Sequence, residues 1–270
     1  MAVTSIGAGA AGRAGLVLQI KNITFSYPHK TVFRDFCTTI GPGLVKLTGK
    51  TTLLKLIAGF LTPQKGDIDL KLKQIPKKVH TVPEVPAVFF IPEAIDDASQ
   101  ARISILTPDG YHYEDLSVKE NLEYFYSMAS SSMASATSTL QEKKRLTKNM
   151  NRSVPQGIAE FFGLGKFLDK QAGALSTGQK KRLDICISLL NMPHLLLLDE
   201  PLAHLDTKGA AAVNAMLALR RSLPYTLTIV TATSDRKAAD ISMNGSYVTG
   251  DSLSQIDNGS CPEFDSEVVL

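Results

Sequence analysis

Four leucines closed by two acids, Leu195-Leu196-Leu197-Leu198-Asp199-Glu200, constrain the fold more than any other run in the chain. A strand that is apolar at every position has two faces to cover, as in a parallel sheet packed between helices. Such sheets bind ligands at the carboxyl ends of their strands, which is where Asp199 and Glu200 fall. In a phosphate-handling site the first acid can hold Mg2+ and the second can orient or deprotonate a water. Alone, the run is equally well explained as an acid pair ending a strand at a turn.

A second pattern lies just upstream. Leu175-Ser176-Thr177-Gly178-Gln179 is followed by Lys180-Lys181-Arg182 and by a helix with Leu183, Ile187 and Leu190 on one face. A Ser-x-Gly before a helix offers an anion a hydroxyl, free backbone N–H groups and the positive end of the helix dipole. An ordinary capped helix start looks the same. Order and spacing lift the pair above chance: Ser-Thr-Gly-Gln, helix, apolar strand, then Asp199-Glu200-Pro201-Leu202-Ala203-His204-Leu205-Asp206.

The rest of the chain alternates strand and helix patterns. Leu16, Leu18, Ile20, Ile23, Phe25 and Tyr27 alternate as strand residues do, and 44–48 reads as another strand after Gly41-Pro42-Gly43. A helix is expected over 50–60, with Leu53, Leu54, Ile57 and Ala58 on one face, and Thr62-Pro63 ends it. Residues 103–106 form a short strand, and Ser117-Val118-Lys119-Glu120 is a capping box that opens a helix through Leu122 and Phe125. Residues 127–139, rich in Ser, Ala and Met, read as a loop or weak helix. Pro76, Pro83, Pro86 and Pro92 mark a surface stretch, and Lys143, Lys144, Arg145, Lys148 and Arg152 a solvated helix face. Asn244-Gly245 and Asn258-Gly259 read as hairpin turns.

Composition narrows the function. The 29 basic against 26 acidic residues give a net charge of +3, too small to imply nucleic acid as a partner. With 44% hydrophobic and 20% charged residues, the chain is globular rather than disordered. No apolar run approaches the roughly 18 residues of a membrane-spanning helix, so the sequence reads as that of a soluble protein. Cys37, Cys186 and Cys261 lack the spacing of a zinc site or a disulfide framework, and read as buried thiols in a reducing compartment.

Together these motifs closely resemble the nucleotide-binding domain of ABC transporters. Residues 175–179 resemble the family's LSGGQ signature, with Thr177 in place of a glycine; 195–200 match its Walker B strand and catalytic glutamate; 201–206 match its D-loop. The stretch 115–122 looks like the opening of the family's helical subdomain, and Gly163-Leu164 precedes the signature as in the family. The resemblance implies an α/β fold, a P-loop NTPase core of ABC type with an antiparallel β subdomain and an inserted α-helical subdomain at about 111–170. It implies a flexible leader over 1–15 and one domain over 16–270. By resemblance Tyr27 stacks on adenine; Gly49, Lys50, Thr51 and Thr52 bind phosphate; Thr51 and Asp199 hold Mg2+; Glu200 is the catalytic base. Ser176, Gly178 and Gln179 serve the ATP of a partner chain, and Asp206 belongs to the D-loop. The implied cofactors are ATP and Mg2+. The implied partners are a separate membrane permease and a second ATP-binding subunit, identical or not, with the chain peripheral to a membrane in the cytoplasm or an organelle. ABC proteins of translation or DNA maintenance fit less well, since they carry two such domains or a long coiled-coil insertion.

Three positions depart from the family pattern. The phosphate loop G-x-x-x-x-G-K-S/T is matched only at its end, Gly49-Lys50-Thr51, because Leu44 stands where its first glycine belongs. About five loop residues are missing, and with them the nest of N–H groups for the phosphates. Pro108 stands at the place of the Q-loop glutamine, and Ala232 at that of the switch histidine. Two expectations follow: an ABC-type ATPase subunit, or a catalytically degenerate partner whose signature side completes the site of an intact subunit.

Overall fold

Alternating apolar residues along 16–40 build two long strands, β1 (Leu16–Tyr27) and β2 (Lys30–Ile40). They pair antiparallel, and β4 (Lys65–Leu72) pairs antiparallel with the other edge of β1. Leu18, Ile20, Ile23 and Phe25 of β1 are buried together with Phe33, Phe36 and Ile40 of β2. The computed structural model describes residues 16–41, 44–48, 51–72, 102–136, 153–219, 228–233 and 246–248.

The second sheet is wholly parallel. Its order is β5-β6-β7-β3-β8, from β3 (Leu44–Thr48), β5 (Ile103–Leu106), β6 (Leu195–Asp199), β7 (Thr228–Thr233) and β8 (Ser246–Val248). The four leucines of β6 are completely buried, and they divide by period two. Leu195 and Leu197 join the cluster of the antiparallel sheet and helix α1 (Thr51–Ile57). Leu196 and Leu198 join the other cluster, built on α2 (Val118–Ala136), α3 (Ser153–Phe161), α4 (Thr177–Leu190) and α5 (Thr207–Leu219). One strand thus anchors both cores, each leucine contributing roughly 2 kcal/mol by burial.

Several local expectations change. Helix α1 is shorter than the expected 50–60: the described helix is Thr51–Ile57, and its chain turns at Gly59 with φ +78°. Helix α2 extends to Ala136, so part of the Ser/Ala/Met stretch is helical. Helix α4 has no single apolar face, since every residue from Lys181 to Leu190 is buried; it runs through the interior and must satisfy its charges there. Cys186 is a free buried thiol as expected, Cys37 Sγ contacts Asn22 at the strand edge, and Cys261 lies outside the described residues. The leader 1–15, Gly49, Lys50, the four prolines, the basic cluster and both Asn-Gly turns lie outside the described residues. Among the described residues no helix is long and apolar enough to cross a membrane.

Candidate nucleotide site

Strand register gathers the candidate positions at one edge of the parallel sheet. Leu106 pairs with Leu198, Asp199 with Ala232, and Thr48 with Thr233, so the ends of β5, β6, β7 and β3 lie side by side. Pro108 follows β5 by two residues, and position 232 lies beside Asp199 within β7. Only Gly49 and Lys50 separate the end of β3 from the first residue of α1.

Helix α1 turns its first residue toward β6. Thr51 Oγ1 donates to Asp199 Oδ1 at 3.1 Å, joining residues 148 apart in sequence. Asp199 is 2% exposed. Burial raises its pKa and Glu200 adds to this, while the Thr51 hydroxyl, Lys181 and Lys55 oppose it. Tyr27, at the end of β1, stands edge-on to Phe25 with ring centroids 5.1 Å apart, and its hydroxyl comes within 3.5 Å of Thr52 Oγ1. Its ring is 42% exposed, free to face a ligand beside the first turn of α1. Glu200 adopts φ +45° directly after the strand and opens the turn in which Ala203 N–H donates to its carbonyl. Tyr27, Thr51, Thr52, Asp199 and Glu200 are therefore brought together.

The signature residues form a second group, tied to the turn after Glu200. Ser176 caps α4: its Oγ accepts from Gln179 N–H at 3.3 Å, while Gln179 Oε1 accepts from Ser176 N–H at 3.0 Å. Gly178 packs closely on that turn: a Cβ there would lie 3.1 Å from the His204 carbonyl oxygen, and the turn would have to give by a few tenths of an ångström. The helix start and the 201–206 turn thus meet backbone to backbone. Asp206 caps α5 by accepting from Gly209 N–H at 2.9 Å, and its other oxygen lies 3.4 Å from Arg182 Nη2.

The structure adds residues that the motifs did not single out. Asp184 Oδ1 accepts the N–H groups of Tyr111 (2.9 Å) and His112 (3.1 Å) and lies 2.8 Å from His112 Nδ1. Arg182 Nη1 donates to the Phe162 carbonyl. Lys181 is only 8% exposed. One available signal was Asp184 itself, a lone acid among Leu183, Ile185, Cys186 and Ile187. Nothing in the sequence distinguished Lys181 from its basic neighbours.

Chemically, a hydroxyl and a carboxylate in contact are hard oxygen donors of the kind Mg2+ takes when phosphates supply further ligands. Thr51 and Asp199 fit that ion. Among the described residues no three His, Cys, Asp or Glu side chains converge, so an all-protein metal cage is not offered there.

Residues 48–203 match the model of the ABC transporter family. A spermidine/putrescine import ATP-binding protein of Spiroplasma citri is 29% identical over 225 residues, covering 80% of this chain and 54% of that one. An ABC transporter B family member of Arabidopsis thaliana is 27% identical over 237 residues, covering 80% of this chain and 15% of its own length. The chain thus spans about half of the first relative and a small part of the second. A solved ATP-binding subunit of an ABC transporter superposes with a TM-score of 0.58 at 18% identity, over 86% of this chain and 85% of that one. This likeness establishes the shared P-loop NTPase fold.

Proposed function

Because the chain belongs to the ABC transporter family, we propose that it is an ATP-binding subunit that couples ATP binding and hydrolysis to transport by a separate membrane subunit. The observation that carries this reading is the Thr51–Asp199 contact, with Glu200 next to it and Tyr27 beside Thr52. In this reading Tyr27 supports the adenine, Thr51 and Asp199 hold Mg2+, and Glu200 takes a proton from the attacking water. Mg2+ bound there would draw charge from the phosphate oxygens. Gly49 and Lys50 complete the phosphate contacts. Residues 16–270 serve as one nucleotide-binding domain after a leader, with the helical subdomain at about 111–170.

A second reading has its own support. Two residues between β3 and α1 leave little chain to wrap around a β-phosphate, and Pro108 and Ala232 carry no side-chain donor to a γ-phosphate. The chain then pairs head to tail with an intact subunit, an identical or a different one, and lends it Ser176, Gly178 and Gln179. In both readings it docks on a permease at a membrane, in the cytoplasm or an organelle, and no nucleic acid takes part.

Titration calorimetry with ATP and Mg2+, followed by turnover assays, separates the two. Micromolar binding, with turnover abolished in Glu200→Gln, supports the first. No binding at millimolar ATP, together with a Ser176→Ala loss of turnover in an intact partner, supports the second. Loss of neither activity in either variant overturns both.

A further inference from the structure

The run Thr107-Pro108-Asp109-Gly110 follows β5 and has the composition of a turn, with proline at its second place and glycine at its fourth. It closes through Gly110 N–H to the Thr107 carbonyl at 3.3 Å, and Gly110 takes φ +71° against the Asp184 carboxylate, where a Cβ would collide. The chain leaving the turn is then held by one atom. Asp184 Oδ1 accepts the N–H groups of Tyr111 and His112 and meets His112 Nδ1; since a carboxylate only accepts, Nδ1 is the donor. Both side chains are shielded from water, His112 at 9% and Asp184 at 5% exposure. Hydrogen bonds to such an acceptor are stronger than neutral ones, and a buried amide that loses its acceptor is costly.

The same stretch is joined to the chain that leads into the signature. Gly173 N–H donates to the Glu114 carbonyl and Ala172 N–H to that of Leu116, both at 2.9 Å, and Val118 N–H donates to the Lys170 carbonyl at 3.0 Å. Lys180 Nζ reaches Glu114 at 2.6 Å. Residues 110–118 are thus bonded on both sides of Ser176, by backbone before it and by Lys180 and Asp184 after it. The Glu114 side chain is 67% exposed, so water screens its pair with Lys180. The buried bonds of Asp184, about two helical turns beyond Ser176, are the firmer tie.

We propose that Asp184 is a positioning residue for the signature: it fastens the turn after β5 to α4, so that 110–118 and 170–180 open and move as one unit, and Ser176, Gly178 and Gln179 follow any displacement of 110–113. Leucine in its place matches the shape and suits the neighbours Leu183 and Ile185, but only the acid accepts the two amides. The effect on turnover rests on the reading above, in which the signature serves a partner chain's ATP; the shared opening does not.

Amide hydrogen exchange on the full chain without nucleotide tests the shared opening. Asp184→Leu is expected to quicken exchange about tenfold at 111–113 and also at 172–173 and at 179–180, whose amides the Ser176 cap holds, while 195–199 keep the wild-type rate. Asp184→Asn keeps a carbonyl oxygen for the two amides and is expected to stay within about threefold of wild type throughout. Quickening confined to 111–113 overturns the proposal, as does equal exchange in the Leu and Asn variants. Quickening that reaches 195–199 as well marks a loss of global stability and also overturns it. Should Asp184→Leu fail to fold, His112→Ala removes one bond from the side of the turn: quickening at 111–113 and 172–180 together supports the unit, and at 111–113 alone overturns it. Turnover is read separately: Asp184→Leu is expected to lower kcat about tenfold with KM within about threefold of wild type, and Asp184→Asn to retain kcat. Unchanged kcat for Asp184→Leu in an active chain overturns the positioning role. A wild-type chain without turnover that still shows the shared exchange removes the hydrolytic reading and supports the unit.

Discussion

His194, 4% exposed just before β6, accepts the Arg102 N–H on Nδ1 at 3.1 Å. Burial, with a smaller push from Arg102, lowers its pKa to about 4. The unfolded chain titrates this group near 6.5, so between about 6.5 and 4 it binds more protons than the folded chain. The sign is therefore that stability is complete above about pH 6.5 and is lost as pH falls toward 4. Up to about 3 kcal/mol rides on this one ring. Urea denaturation from pH 7 to 4 checks it: His194→Asn, which keeps an acceptor, is expected to flatten the slope. Gly110 gives a second prediction at this scale. Gly110→Ala places a side chain at φ +71° and against Asp184, with an expected loss of about 2 kcal/mol in thermal unfolding.

Among the elements, β6 carries the most weight because it contributes leucines to both cores. Leu197→Ala is expected to cost about 3 kcal/mol in denaturant unfolding, through lost burial and the cavity left behind. The cap of α4 is smaller in consequence: Ser176→Ala removes the acceptor of Gln179 N–H and costs about 1 kcal/mol by the same measurement. Strands were legible here in proportion to their local pattern. The expected strands at 44–48 and 103–106 have the observed bounds, and the Ser117–Glu120 box is present, with Ser117 N–H donating to Glu120 at 2.8 Å. Helix α4 was legible in position but not in environment. A helix turns each successive residue by about 100°, so its Lys180-Lys181-Arg182 run does not share one environment. That rotation takes Lys180 to Glu114 and Arg182 to the Phe162 carbonyl and Asp206, and leaves Lys181 without an ion pair among the described residues.

For the whole molecule, the decisive question is the short connection from β3 to α1. Inserting a glycine-rich segment of about five residues before Gly49 is expected to raise ATP affinity at least about tenfold by calorimetry, because consecutive N–H groups can then surround the phosphates. Unchanged affinity would mean that the short connection does not limit binding.

The sequence by itself determined the family and the parallel sheet with its acids at the carboxyl edge, and it proposed Thr51, Asp199, Glu200 and Ser176 as site residues. These follow from patterns local in sequence, and apolar periodicity and motif spacing record them directly. Only the tertiary structure decided what those residues touch. It brought Thr51 to Asp199 across 148 residues, set Gly178 against His204, and laid the 110–113 segment on Asp184. Such contacts depend on strand order and helix packing, and a buried charge finds its partner only after the chain has folded around it.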